Sequence, residues 1–418
     1  MISINSDDMN YHYVRNTCRL CNSGNLCLVL PLNQSPLCDA YIKTPKKQDS
    51  YDLSVYLCKE CDFVQINTIV DPKIIYSDYL YQTTSSSGLI SHFAKYANEV
   101  CESVETDRSK LTVDIGSNDG TLLEFFRDRN HRVLGIEPAA QIAKDASLRG
   151  IQTLPIFFDE SQARKILSEY GTAGLITINN LFANIDDLEN FTRGLEILLD
   201  ENGVLVIESS YLLAMIENMI FDFIYHEHLS YFSILPLTKF FKKFGLRLIR
   251  LQEVSTKGGS LRYFWAREKS IWNIESNVES LMENERKANI GKKTFEKFFV
   301  RIEEEKNQLV NFLQSNGDKK IVAYGASATS TTLIYQFELE QYIYCIVDDN
   351  PARHHLHSPG CHIPVLPSKV LYEDRPDYVL ILAWRYLKPI TEKHAAFIEQ
   401  GGKFIVPLPE FQIIEQLL

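Results

Sequence analysis

Residues 111–120 read LTVDIGSNDG. Leu111–Ile115 is an apolar strand, Gly116 and Gly120 mark a turn, and a helix is expected from near Thr121. Roughly twenty residues on, Val133–Ile136 is a second apolar strand, ending in Glu137. This order is the first half of a doubly wound parallel sheet, whose ligand lies at the strand tips. Gly116 lets the backbone approach a ligand closely. Glu137 is placed to accept hydrogen bonds from ribose hydroxyls. The turn is not the dinucleotide GxGxxG, and its Asp114 and Asp119 would repel a pyrophosphate but suit a sulfonium cation. The reading is S-adenosylmethionine (SAM), held by Asp114, Gly116, Ser117, Asn118, Asp119, Gly120 and Glu137. Its competitors are NAD and a turn with only a structural role.

Downstream, strand and helix continue to alternate. Leu175–Ile178 is a strand ending in Asn179 and Asn180, where the ligand crevice of such a sheet opens. Both asparagines are therefore assigned to the cofactor. Asp186, Asp187 and Glu189 begin the next helix, where negative charge favours the helix dipole. Gly203–Ile207 is a further strand running into Glu208. Leu246–Leu251 and Gly258–Phe264 are a closing pair.

Between them lies FDFIYHEHLSYFS, residues 221–233. Tyr225, His226, Glu227 and His228 stand side by side inside an apolar frame. Titratable groups in such a frame are costly unless they are paired or used. This box is the expected centre of the chemistry, although a structural polar cluster would have the same composition.

Upstream, Cys18-Arg-Leu-Cys21 and Cys58-Lys-Glu-Cys61 are two CxxC pairs. Each pair can turn two thiolates onto one ion, and Cys18, Cys21, Cys58 and Cys61 close the tetrahedral shell of a structural Zn2+. Redox pairs or buried thiols are the alternative. Cys27 and Cys38 lack the spacing and read as core residues. Between this knob and the sheet, Tyr76, Tyr79 and Tyr81 precede a hydroxyl-rich run, Thr83–Ser87, and a helix. The segment reads either as a capped helix with an aromatic approach or as a lid over a small ligand, with Ser86 assigned to the cofactor.

The last hundred residues repeat the strand–turn–helix plan. Lys320–Tyr324 leads into Gly325, Ala326 and Ser327, whose backbone N–H groups at a helix start form an anion site. Tyr344–Val347 is expected as the next strand, ending in Asp348, and Tyr378–Ala383 as another, ending in Trp384. This unit reads as a substrate phosphate or sugar site, or else as a docking domain. His354, His355, His357, Cys361 and His362 sit in a loop punctuated by Pro and Gly and read as surface residues. Residues 273–315 are rich in Glu, Lys and Asn, with Phe295, Phe298, Phe299, Ile302 and Leu309 at helical spacing.

The whole is an α/β chain of 418 residues, too long for one core. The expected units are a small zinc-binding domain over 1–75, a central Rossmann-like SAM methyltransferase domain over 76–270, a helical linker over 271–315 and a Rossmann-like substrate-binding domain over 316–418. A net charge of −11 without a basic run disfavours nucleic acid as a partner. No apolar run reaches the length of a membrane span, and the polar, acidic start does not resemble a signal peptide. A cytoplasmic location is expected, with the nine cysteines free or metal-bound. One chain says nothing of oligomeric state.

CRLC…CKECDFVQI, the SAM half-sheet, FDFIYHEHLSYFS, GGSLR and VDDNP…PGCHIPV occur here in that order. Together they resemble the SAM-dependent nucleotide-sugar C-methyltransferases that make branched deoxysugars, over nearly the whole chain. The resemblance implies a TDP-linked 4-keto-6-deoxy sugar as substrate and transfer of a methyl group to C-3 through an enolate. C-5 methylation, O- or N-methylation of a small molecule and a non-catalytic zinc and Rossmann module are the alternatives. It also implies that His228 is the base, with Tyr225 and Glu227 beside it, and that Tyr79 contacts cofactor and sugar. Tyr225, His228, Tyr324, Gly325, Ala326, Ser327, Asp348 and Trp384 are assigned to the sugar nucleotide. Three positions depart from the family pattern. Asn184 stands where a His is frequent and is left with hydrogen bonding to the substrate. Lys257 precedes GGSLR where His is frequent, and Thr329 replaces a frequent lysine.

Overall fold

A computed structural model describes residues 12–75, 87–105 and 107–416. The knob holds β1 (His12–Val14), β2 (Leu26–Leu30), β3 (Val55–Cys58), β4 (Val64–Ile66) and β5 (Thr68–Val70). β1 pairs only with β5. β2, β3 and β4 form an antiparallel sheet whose fourth strand comes from far downstream, at β11.

The central strands are β6 (Leu111–Ile115), β7 (Arg132–Ile136), β8 (Thr153–Leu154), β9 (Ala173–Asn179), β10 (Leu199–Ser210), β11 (Ser230–Tyr231), β12 (Leu246–Val254) and β13 (Ser260–Arg267). Seven of them form one sheet in the order β8-β7-β6-β9-β10-β13-β12. The first five are parallel, and β13 runs antiparallel to both its neighbours. Buried from both sides, β6 and β9 are continuous apolar runs, as parallel strands should be. The order reverses between β6 and β9, so the crevice opens at Asp114, Asn179 and their neighbours. Two of the covering helices start on side-chain caps: Asp159 accepts from Gln162 N, and Asp187 from Asn190 N.

β11 is the exception. It follows the box directly, leaves the central sheet and pairs antiparallel with β4, with Ser230 opposite Gln65 and Tyr231 opposite Val64. The box therefore hangs between two units at both ends.

The terminal sheet contains β14 (Ile321–Tyr324), β15 (Ile346–Asp348), β16 (Val365–Pro367), β17 (Tyr378–Ile381), β18 (Lys403–Val406) and β19 (Gln412–Ile414). Its order is β16-β15-β14-β17-β18-β19, with only β19 antiparallel. The second strand starts later than expected. Tyr344 is exposed outside the sheet, under the Lys320 ammonium at 4.3 Å, and β15 begins at Ile346. Two helices, Ser276–Ala288 and Lys292–Ser315, precede this sheet. The second buries Phe295, Phe298, Ile302, Leu309 and Leu313. That stripe shares one core with knob residues Leu30 and Val55, box residues Phe221 and Tyr225, and terminal residues Val322 and Leu380. The box thus sits at a three-way junction. No helix among the described residues is long and apolar enough to cross a membrane.

Candidate active site

The described residues assigned to the cofactor from sequence lie at the tips of β6, β7 and β9. Asp114 ends β6, and the Thr177 hydroxyl of β9 donates to its Oδ1 at 2.6 Å. Burial pushes the Asp114 carboxyl up to about 7, while Thr177 and the neighbouring Asn179 pull it down. Gly116 and Gly120 have φ of 79° and 80°, open to glycine at little cost. A Cβ at Gly116 would stand 2.9 Å from the Leu181 side chain. Asn118 and Asn180 also lie at positive φ. Glu137 does more than face a ribose: it receives Asn118 N at 3.1 Å on one oxygen and Ala139 N at 2.9 Å on the other, tying together the first two strand tips. The Asp119 side chain turns inward to accept the Thr121 hydroxyl at 2.6 Å. Ser117 Oγ is buried without a hydrogen-bond partner at the same tip. Buried hydroxyls rarely stay so, so a polar ligand fits this place. Tyr79 and Ser86 lie outside the described residues.

In the box, a short 3-10 turn, Phe221–Phe223, is followed by Tyr225 and His228 folded onto one another. Tyr225 Oη is 3.2 Å from His228 Nε2, and His228 Nδ1 is 3.1 Å from the Phe223 carbonyl. A carbonyl can only accept, so Nδ1 carries the proton and Nε2 accepts from the phenol. Burial, and then the Lys257 charge, push His228 down to about 3, so it is held neutral. Burial also lifts the Tyr225 phenol far above its usual range, with Glu227 next. Glu227 does not orient either imidazole. It faces Asp39, Lys257 and Arg353, and burial raises its carboxyl to about 7. His226 points away, edge-on to Tyr51 at 5.7 Å, with both ring nitrogens buried against the backbone of Tyr51 and Asp52.

His228 and Asn180 line one small cavity of about 10 Å³ with Ala183, Ser209 and Tyr231, enough for about one water. Box and cofactor strand tips therefore meet. Asn184 stands beside this cavity in the turn Phe182–Asn184, whose Ala183 carbonyl accepts Leu229 N at 2.8 Å.

The terminal unit grips the box from the other side. Arg385 Nη1 bonds both oxygens of the buried Asp222, at 2.7 and 2.8 Å, and Trp384 Nε1 donates to the same carboxylate at 3.0 Å. Trp384, assigned to the substrate from sequence, is thus spent on Asp222. The Arg385 guanidinium lies 4.5 Å over the Phe223 ring, which stacks on His228. Tyr324 is likewise committed, to Asp349 and His394. Asp348 accepts Ala326 N at 2.6 Å, so one amide of the expected anion turn is already occupied. Gly325 adopts φ 104°, and Ser327 caps the following helix through Ser330 N. A knob loop closes over this turn: Tyr41 Oη donates to the Ser327 carbonyl at 3.2 Å, and Asp39 pairs with Arg353 at 2.6 Å.

The four knob sulfurs lie within 4.8 Å of one another, with Cys18–Cys61 at 3.6 Å and Cys21–Cys58 at 3.5 Å. Four thiolates about 2.3 Å from one Zn2+ sit about 3.8 Å apart, so the set fits zinc. Each pair turns through a residue of positive φ, Asn22 or Asp62, whose N–H bonds back to the first cysteine's carbonyl at 2.9 Å. Arg19, inside the first pair, donates to the Ile66 carbonyl at 2.7 Å and the Leu229 carbonyl at 3.1 Å. Asp186, read from sequence as a helix-start charge, instead pairs with Arg15 and Arg19.

Sequence reasoning missed two polar links. Asp222–Arg385 is one. The other is His92 Nε2 to Glu208 at 2.8 Å, with Arg262 bonding Glu208 at 2.8 and 2.9 Å and lying 4.0 Å over Tyr96. The signal for the latter was a charged residue at the tip of each of two central strands.

A seven-stranded sheet with β13 antiparallel, an acidic glycine turn on its first strand and Glu137 on its second define a SAM-dependent methyltransferase. Family models for a zinc binding domain match residues 18–76, a methyltransferase domain 92–251, and a C-methyltransferase C-terminal domain 255–409. C-methyltransferase NovU of Streptomyces niveus is 30% identical over 405 residues, covering 95% of this chain and 96% of NovU. The chain belongs to this family of zinc-containing, SAM-dependent C-methyltransferases. Among solved structures it is similar to a SAM-dependent methyltransferase from Anabaena variabilis, at 14% identity and TM-score 0.36, covering 47% of this chain and 90% of that one. Another, from Clostridium acetobutylicum, has 14% identity and TM-score 0.35, covering 47% and 95%.

Proposed function

We propose that the protein methylates a ring carbon next to the ketone of a nucleotide-linked 4-keto-6-deoxy sugar, with TDP as the nucleotide and C-3 as the carbon. The observation that carries this reading is His228, bonded to the Tyr225 phenol, lining one cavity with Asn180 of the cofactor crevice. O- or N-methylation needs no base beside an acidic carbon, whereas a ketone's α-hydrogen does. A neutral His228, fixed by Phe223, accepts the phenolic proton only as the Tyr225 oxygen takes the proton from carbon, in one concerted relay, and the C–H electron pair moves onto the ketone oxygen. Asn184 can orient the sugar by hydrogen bonding but cannot act as a base. When bound, SAM supplies a methyl group on a positively charged sulfur as the electrophile. Asp114, Asn118, Asp119, Glu137 and Asn179 would hold it. The turn at Gly325–Ser327, with Asp348 and Arg353, would hold the nucleotide.

In this reading the unit boundaries fall near residues 75, 270 and 315, and reduced zinc thiolates suit the cytoplasm. The test is incubation with SAM and several TDP-4-keto-6-deoxy sugars, followed by mass and NMR. A product heavier by one methyl, with the C-3 proton signal lost, supports the reading. Methyl at C-5 would move the carbon. No transfer, with no solvent deuterium entering the carbon beside the ketone, would sink C-methylation of these sugars.

A further inference from the structure

Four cations stand near the box, the β12–β13 turn, the knob loop and the terminal sheet. Three are locked by carboxylates: Arg385 by Asp222 at 2.7 Å, Arg353 by Asp39 at 2.6 Å and Arg262 by Glu208 at 2.8 Å. Lys257 is different. Its ammonium feels Glu208 and Glu227 only at a distance, and among the described residues it has neither an ion pair nor a hydrogen bond. It lies 5.8 Å from the centre of the Phe223 ring, the ring that stacks on His228.

The backbone beneath it is fixed. Gly258 packs where a Cβ would stand 2.3 Å from Ile220, and Gly259 where one would stand 2.7 Å from Ala214. Asn218 Nδ2 bonds the Gly258 carbonyl at 2.9 Å. The turn is thus clamped onto the segment that leads into the box. Lys257 itself adopts φ 56°, ψ 20°, a left-handed conformation that glycine or asparagine takes with less strain. A half-buried cation without a carboxylate partner, on a fixed backbone, is a site for developing negative charge.

We propose that Lys257 is the electrophilic residue of the site, donating to the ketone oxygen of the substrate as the α-hydrogen is removed. This rests on the reaction proposed above. The balance closes without the cofactor. The carbon–hydrogen bond breaks, its proton passes to the Tyr225 oxygen, and the electron pair settles on the oxygen facing the ammonium. The reverse step, run in heavy water, returns a deuteron to the same carbon. Burial lowers Lys257 to about 8, with Glu208 and Glu227 opposing and Arg385 adding to the shift. The ammonium form therefore still dominates near neutrality. His228 is the remaining titratable group facing it.

The experiment uses the full zinc-loaded chain in heavy water with TDP-4-keto-6-deoxyglucose and no SAM, and follows deuterium entry by mass. Lys257→Met is expected to slow exchange by about 100-fold or more, the usual loss for one oxyanion donor, with substrate and SAM Kd within about threefold of the wild type. Lys257→Arg should keep a larger share of the rate. Wild-type exchange should fall above pH about 8 as the ammonium is lost, and Lys257→Arg should hold its rate there. Exchange by Lys257→Met within threefold of the wild type overturns the assignment, as does a loss accounted for wholly by weaker substrate binding. Should Lys257→Met not fold, an alkaline limb that does not move in Lys257→Arg overturns it. Exchange and methylation both absent in the wild type would instead remove the proposed reaction.

Discussion

Tyr225 Oη faces His228 Nε2 at 3.2 Å, and the other nitrogen of that imidazole is spent on the Phe223 carbonyl. The two side chains therefore form one hydrogen-bonded unit, which the proposed reaction uses as its proton acceptor. Tyr225→Phe and His228→Gln should each lower kcat by about 10²- to 10⁴-fold, the range for a positioned acid–base group. The double variant should be little worse than either single one, because members of a unit are not additive. Steady-state kinetics of the three variants decide it, and multiplying losses would separate the pair.

Asp222 is buried with Arg385 as its charge partner. Arg385→Met strands that carboxylate and should cost about 3–5 kcal/mol in urea unfolding. Asp222→Asn keeps the shape without the charge and should cost less. Both should lower kcat, since Arg385 also rests on the Phe223 ring beside His228.

His226 gives a pH signature of stability. Burial lowers it to about 4, against an unfolded value near 6.5. Between these values the unfolded chain binds the extra proton and the folded chain does not. Stability from the neutral imidazole is thus complete above pH 6.5 and lost as pH falls toward 4. His226→Phe removes two buried ring nitrogens and keeps the edge contact with Tyr51. It should match the wild type within about 1 kcal/mol at pH 7 and exceed it by up to about 2 kcal/mol at pH 5. Glu227 and Asp114, both raised to about 7, oppose this trend in both proteins, so the difference between proteins is the quantity to follow.

Purified protein should contain one Zn2+ per chain by elemental analysis. Cys61→Ser, or a strong chelator, should remove the metal and lower activity as well as Tm, because Arg19 of the first cysteine pair bonds the Leu229 carbonyl beside the box. Full activity without zinc would show the knob to be independent of the site.

Features written in adjacent residues were legible. The LTVDIGSNDG turn, the cysteine pairs and the Tyr225–His228 box each occupy one short stretch, and local spacing is what sequence records best. What escaped notice joins distant stretches. Trp384 and Tyr324 looked like open strand-tip ligands but are consumed by Asp222, Asp349 and His394. Lys257 stood out only as an unusual neighbour of two glycines, and its lack of a partner becomes visible once Glu208 and Glu227 are placed around it. Tyr344 looked like a strand residue because of its apolar ring, which instead lies under Lys320 outside the sheet.

The knob sheet borrows its last strand, Ser230–Tyr231, from more than a hundred and fifty residues beyond Ile66. During synthesis the zinc ligands emerge early, yet the open edge of β4 stays unpaired until five strands of the methyltransferase sheet have been made. A growing chain therefore cannot finish its first unit before most of its second. A protein cut between the two would leave that edge bare to any passing strand.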